Sequence, residues 1–208
     1  MKTLKREPPF DLSAVKQAPT LRRECTRPEF AIVLGGADCV FDDVHALLAM
    51  SPREWPGLYI AANDVGCHWP VLDHWASFHV DKLVRWKEER AARGLPPAYG
   101  TWGWRPGQPV DFVLYPWSGG SSGMLAAQVA IVLGCRRVVL CGMPMTPTAH
   151  FNQSAEFSSA TTVWAEADGH WKSWVRVYQQ GWFGGRVRSM SGRTQELLGA
   201  PDVGWFLS

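Results

Sequence analysis

The chain has 208 residues, 46% of them hydrophobic and 19% charged, with a formal net charge of +2. That balance suits one sizeable globular core and gives no global electrostatic case for nucleic-acid binding. It holds no run of about 18 apolar residues, so no membrane span is expected.

The start, Met1-Lys-Thr-Leu-Lys-Arg-Glu-Pro-Pro9, is charged and lacks an apolar signal core. The five cysteines, Cys25, Cys39, Cys67, Cys135 and Cys141, form no Cys-x-x-Cys pair. Both features fit a cytoplasmic protein with reduced thiols. Cys67-His68 with His74 and His79 matches no common zinc spacing.

Residues 1–28, with Pro8, Pro9, Pro19 and Pro28, read as an N-terminal arm, and residues 29–208 as a single domain. Phe30–Leu34 is a continuous apolar run ending in Gly35-Gly36, the pattern of a buried parallel strand. A helix is predicted over Asp42–Met50, a second buried strand over Gly57–Ala62, and a helix or turn over Trp69–Asp73. Trp75–Val80 is a third strand candidate. Asp81 is placed to cap a helix that runs to Arg93 and stops at Gly94.

Residues 98–117 are rich in aromatics, Gly and Pro, with a strand predicted over Val110–Tyr115. Ser118-Gly-Gly-Ser-Ser-Gly123 then leads into an Ala-rich helix to Leu133, followed by a strand over Arg136–Cys141 and by Gly142. The polar stretch from Thr146 to His170 reads as a loop or lid, overlapping a helix predicted from Trp164 to Gln180. A last strand is expected over Arg186–Met190 and a short helix over Thr194–Leu198. The twelve tryptophans read mainly as rings closing the core, with Trp117 set apart by its place beside the Gly/Ser turn.

Strand and helix alternate through the body. The expected fold is therefore α/β: a three-layer, Rossmann-like open sheet, mostly parallel, with helices on both faces. In such a sheet, ligands bind beyond the carboxyl ends of the strands. Gly35, Gly36, Asp38, Asn63, Asp64, His79, Asp81, Ser121, Ser122, Gly123 and Gly142 all fall at that rim. The Gly/Ser turn exposes N–H groups and hydroxyls at the positive end of a helix, which favours a phosphate. The glycines fit neither G-x-G-x-x-G nor a P-loop, so neither a dinucleotide fingerprint nor a P-loop is supported.

Val33-Leu-Gly-Gly-Ala-Asp38, Ile60-Ala-Ala-Asn63, and the block from Ser121-Ser-Gly123 to Leu140-Cys-Gly142 carry a resemblance. The chain resembles bacterial sialyltransferases of the Campylobacter lipooligosaccharide type, and related flagellin-motility accessory proteins, over about residues 29–145. The resemblance implies a CMP-type sugar donor and inverting transfer to a hydroxyl acceptor, with no cofactor required. Gly35, Gly36, Asn63, Ser121, Ser122, Gly123 and Gly142 would bind the nucleotide and its phosphate. His79 would stand near the family's second donor-binding Asn, and His170 would take the acceptor proton. Two departures are visible. Gly36-Ala-Asp-Cys39 stands where the family has Asn and then Gly-Pro-Ser, and residues 146–170 contain no Tyr.

A sister group, the pterin and thiamin pyrophosphokinases, implies an alternative: Mg²⁺-dependent phosphotransfer with Asp38, Asp64 and Asp81 on the metal. A third reading is a non-catalytic nucleotide-binding module. The expected partner is a nucleotide or nucleotide sugar, and the Trp-rich surface and N-terminal arm would suit a homo-oligomer.

Overall fold

A computed structural model describes residues 29–50, 57–116, 120–151 and 167–208. The N-terminal arm, Trp117, Ser118, Gly119 and most of the expected lid lie outside the described residues. Among the described residues, seven strands form one sheet: β1 (Phe30–Leu34), β2 (Gly57–Ala62), β3 (His74–Ala76), β4 (Gly100–Gly103), β5 (Phe112–Val113), β6 (Arg137–Cys141) and β7 (Val187–Ser189). Their order is β5-β4-β3-β2-β1-β6-β7, and every pairing is parallel. The fold is thus a Rossmann-like open α/β sheet, wholly rather than mostly parallel. The chain moves outward from β1 to β5 and then crosses back to place β6 on the other side of β1. That reversal puts a crevice beyond the ends of β1 and β6.

The helices are α1 (Val40–Met50), α2 (Val80–Ala92), α3 (Ser122–Val132), α4 (Ala167–Gln179), α5 (Gly192–Leu198) and α6 (Val203–Leu207). Side chains alternate across the sheet, as the two-residue strand period requires. Ala31, Val33, Ile60, Val138 and Leu140 join a core with residues of α3 and with Trp174 and Val177 of α4. Ile32, Leu34, Tyr59, Val139 and Cys141 join a second core with α1 and α2. The sheet is therefore covered on both faces, and its strands are apolar on both sides.

In α3 every residue from Ser122 to Ile131 is buried. A helix apolar all round belongs in the interior, and Ala126, Ala127 and Ala130 let it lie close to the strands. Truncating a fully buried Leu such as Leu125 or Leu140 costs about 2–5 kcal/mol in a core of this kind.

Several expectations are corrected. The turn after β2 is a 3₁₀ turn over Asn63–Cys67 rather than an element over Trp69–Asp73. Strand three is only three residues long, because Ser77 and Phe78 turn away to feed α2. His79, not Asp81, occupies the residue before α2, and no side chain caps that end. Asp81 lies in the first turn, where its charge still complements the helix dipole.

The strand predicted over Val110–Tyr115 shrinks to Phe112–Val113. The strand at Gly100–Gly103 has no alternating pattern to announce it, and α6 is likewise unforeseen. Trp69, Trp75 and Trp174 are fully buried, as core-closing rings should be. Among the described residues no helix is long and apolar enough to cross a membrane. The four described cysteines are free, and burial pushes Cys39, Cys67 and Cys135 up to about 12, leaving protonated, unreactive thiols.

Candidate functional site

The crevice beyond β1 and β6 opens into a cleft of about 470 Å³, within the range of small-molecule sites. Its floor comes from two turns laced together. Gly35 N–H donates to the Cys141 carbonyl at 2.8 Å, and Ala37 N–H donates to the Gly142 carbonyl at 3.1 Å. A Cβ on Gly35 would stand 2.3 Å from the Gly142 carbonyl oxygen. Gly142 has φ +70, and a Cβ there would meet Val40 at 2.5 Å. Glycine at both positions is thus a requirement of the close approach.

Asp43 of α1 fixes this floor from below. Its Oδ2 accepts from Gly142 N–H at 2.7 Å and from the Ser191 hydroxyl at 2.8 Å. Burial raises the Asp43 carboxyl above its ordinary value, against the hydrogen bonds from Gly142 and Ser191 that favour the charge.

The β2 and β3 ends make one wall. Asn63 is held at φ 59, a left-handed backbone that Asn tolerates better than most residues. Its carbonyl accepts from Trp75 Nε1 at 2.5 Å, and its side-chain Oδ1 accepts from the Ser77 hydroxyl at 2.8 Å. With Oδ1 so engaged, the amide NH₂ is the end of Asn63 left to serve as a donor. Ser77 Oγ in turn accepts from His79 N–H at 2.8 Å, which fixes the backbone of the residue before α2.

The opposite wall is the start of α3. Ser121 caps it, accepting from Met124 N–H. Ser122 is buried, and its hydroxyl oxygen accepts from Phe78 N–H at 2.9 Å, tying α3 to the β3 exit. The first amides of α3 have no intrahelical carbonyl to bond and make a positive end beside the cleft.

Every binding or catalytic residue selected from the sequence lines this cleft: Gly35, Gly36, Asn63, His79, Ser121, Ser122, Gly123, Gly142 and His170. His170 comes from the first turn of α4. Two roles change in detail. The Ser122 oxygen is occupied by Phe78 N–H, so it acts as a tie between elements. Gly36 makes room for a neighbour, since a Cβ there would sit 2.5 Å from His150 Nε2.

Sequence reasoning missed His150, Met143 and Met145, which also line the cleft, and Asp43 beneath it. Residues 146–151, the described start of the expected loop or lid, form a strap pinned to the first turn. Asp38 N–H donates to the Ala149 carbonyl, Phe151 N–H to the Gly36 carbonyl, and the Thr148 hydroxyl to Asp38 Oδ1 at 2.6 Å. The strap sets His150 Nε2 3.3 Å from Asp64 Oδ1. Burial alone would raise the Asp64 carboxyl, but the hydrogen bond and charge of His150 outweigh it and hold the group below its ordinary value. Nothing in the spacing of Asp64 and His150 signals this pair, because it depends on the chain returning to the first turn.

Among the described residues the two non-glycine positions with positive φ are Asn63 and Met145, and both line the cleft. Such conformations cost of order 1–3 kcal/mol and gather at functional sites. Met145 is held there from behind: Thr194 Oγ1 donates to the Met143 carbonyl at 2.6 Å and Arg193 N–H to the Pro144 carbonyl at 2.8 Å.

The three aspartates considered for Mg²⁺ do not gather. Asp38 holds Thr148, Asp64 holds His150 and Asp81 is exposed. Among the described residues no three His, Cys, Asp or Glu side chains form a group able to hold a metal. Comparison with family models, curated proteins and solved structures gives no match to this chain.

Proposed function

We propose that the chain is a nucleotide-sugar-dependent glycosyltransferase, sialyltransferase-like, that moves a sugar from a CMP-type donor to a hydroxyl acceptor. The observation that supports this reading is the convergence, on one cleft at the switch point of the sheet, of nine residues chosen for that chemistry. In this reading the nucleotide lies across the ends of β1 and β2, with Asn63 as a donor to it. The phosphate sits at the start of α3, where amides and the helix dipole favour an anion.

His170 then takes the proton of the acceptor hydroxyl as that oxygen attacks the anomeric carbon. The bond from that carbon to the phosphate oxygen breaks, and CMP leaves with the electron pair. Mg²⁺-dependent phosphotransfer finds less support, since Asp38, Asp64 and Asp81 are separately engaged or exposed.

A thermal-shift screen of CMP, CDP, UDP and ATP, with and without Mg²⁺, followed by a CMP-sugar transfer assay, tests the reading. A ligand at 100 times its Kd adds about 2.7 kcal/mol, which for a domain of this size raises Tm by roughly 5–10 °C. The expected result is a CMP-selective shift without Mg²⁺, and a His170→Ala variant that keeps the shift and loses turnover by 10²-fold or more, about the worth of a general base. No shift with any nucleotide would overturn the reading. Binding without transfer by the unaltered protein would instead favour the non-catalytic module.

A further inference from the structure

The cleft is built to face an anion, yet its described lining contains no lysine and no arginine. Its side chains able to carry positive charge are His79, His150 and His170. Among the described lining residues, the side chains that can carry positive charge toward an anionic ligand are therefore imidazoles, so its affinity depends on whether an imidazole is charged.

Among the described residues, His150 has a carboxylate against it, Asp64 at 3.3 Å, and its side chain is 21% exposed where it lines the cleft. The strap 146–151 brings it there, and the missing side chain of Gly36 gives its ring space on the β1 turn. Among the described residues, the groups around it come from several elements. Asp64 comes from the 3₁₀ turn, Asp38 from the β1 turn is bonded to Thr148, and the ring of Phe151 lies 4.7 Å away. His68 also packs against Phe151, with ring centroids 5.1 Å apart, and its Nε2 lies 3.9 Å from Glu89 of α2. Asp38, Asp64 and Glu89 thus place negative charge around His150 and its neighbour. An opposite charge within about 4–6 Å favours the ionised form of an imidazole.

We propose that His150, held by Asp64, is the cationic contact of this cleft for the phosphate of its ligand, and that phosphate-ester affinity falls as pH rises through the titration of this imidazole. The proposal rests on the reading that the cleft takes a nucleotide phosphate, but not on sugar transfer. It gives Gly36 and Asp64 a shared purpose: one provides the space for the ring, the other its charge. A phosphate monoester gains its second charge near pH 6, so affinity lost above pH 7 comes from the protein and not from the ligand.

The test uses the full chain, with CMP and inorganic phosphate as probes. The ring signals of the six histidines are followed by NMR against pH, and His150→Gln identifies the one that belongs to His150. Its midpoint should fall in Asp64→Asn and rise when inorganic phosphate is added. Calorimetry should show CMP affinity dropping by up to about tenfold per pH unit above that midpoint, the limit for one linked proton. In His150→Gln the pH dependence should vanish.

Gly36→Ala is a second variant that displaces the ring while leaving it in the chain, and it should behave like His150→Gln. A midpoint unmoved by Asp64→Asn, or CMP binding whose pH dependence survives in both variants, overturns the proposal. CMP binding with the expected pH dependence but no sugar transfer would sink the glycosyltransferase reading and leave this pair standing. Transfer that proceeds with no role for His150 would do the reverse.

Discussion

Two recesses border this sheet, one at its switch point and one beside its β3–β4 end, and their polar groups are arranged in different ways. The cleft beyond β1 and β6 has amides at a helix start, an Asn amide and three imidazoles along its walls. The second recess, about 350 Å³ between α2 and strands β3–β5, contains Arg90, Lys87, Thr101 and Asp111. There Arg90 and Thr101 are buried, Lys87 and Asp111 are exposed, and all four bond to neighbouring protein groups.

Arg90 is 1% exposed, and its guanidinium donates to the carbonyls of Gly66, Trp69, Pro70 and Pro96. Burial lowers it to about 10, which still leaves it charged at neutral pH. Asp111 accepts from both the amide and the hydroxyl of Thr101, and Lys87 reaches that hydroxyl at 3.4 Å. A concavity lined by satisfied groups is a piece of architecture. One lined by helix-start amides, an Asn amide and imidazoles at a switch point of the sheet is a candidate site. Volume alone would not have separated the two.

The contrast breaks most visibly at Arg90. Replacing it by Met leaves four carbonyls facing a space without a donor. Each orphaned acceptor costs about 1–3 kcal/mol, so a total loss of about 3 kcal/mol or more is expected by chemical denaturation. A small loss would show that water replaces the guanidinium and that the recess is open. Asp43→Ala tests the floor of the other cleft. It strands the buried Gly142 N–H and should cost about 1–3 kcal/mol, with a parallel loss of ligand-induced Tm shift. Unchanged ligand binding would mean that the two glycine turns hold their geometry without the carboxylate.

The smallest effect is a pH slope. His74 Nδ1 accepts from Trp102 Nε1 at 3.2 Å, and burial holds the imidazole below its ordinary value of about 6.5. The folded state therefore binds this proton less readily than the unfolded one. The stability that the neutral ring contributes is complete above about pH 6.5 and is lost as pH falls through the folded value. Thermal melts between pH 8 and pH 5 should show a decline that flattens in His74→Gln, and an unaltered slope would assign it to other groups.

The cleft's position was legible because it follows from local pattern. An apolar run ending in glycines is a buried strand with its carboxyl end marked, and a Gly/Ser turn before an Ala-rich run is a helix start. Listing what falls at those points recovered Asn63, His79 and Ser121–Gly123. His150, Asp43 and Arg90 were not legible. Their partners, Asp64, Gly142 and the carbonyls at Gly66, Trp69 and Pro70, lie far away in sequence or on the backbone, which carries no letter. Strand β4 escaped for a related reason: Gly100-Thr-Trp-Gly103 gains its strand character from pairing with His74–Ala76, not from its own alternation.

The sequence by itself determined the layered α/β plan and the rim on which a ligand would meet the sheet, because hydrophobic period and turn chemistry act within a few residues. Only the tertiary structure decided which polar groups are spent holding the fold and which face the cleft. Arg90 became a strut and His150 a wall of the site because of where the chain returns. Burial removes water from a polar group, and the partner that replaces that water is chosen by packing, not by neighbours in the chain.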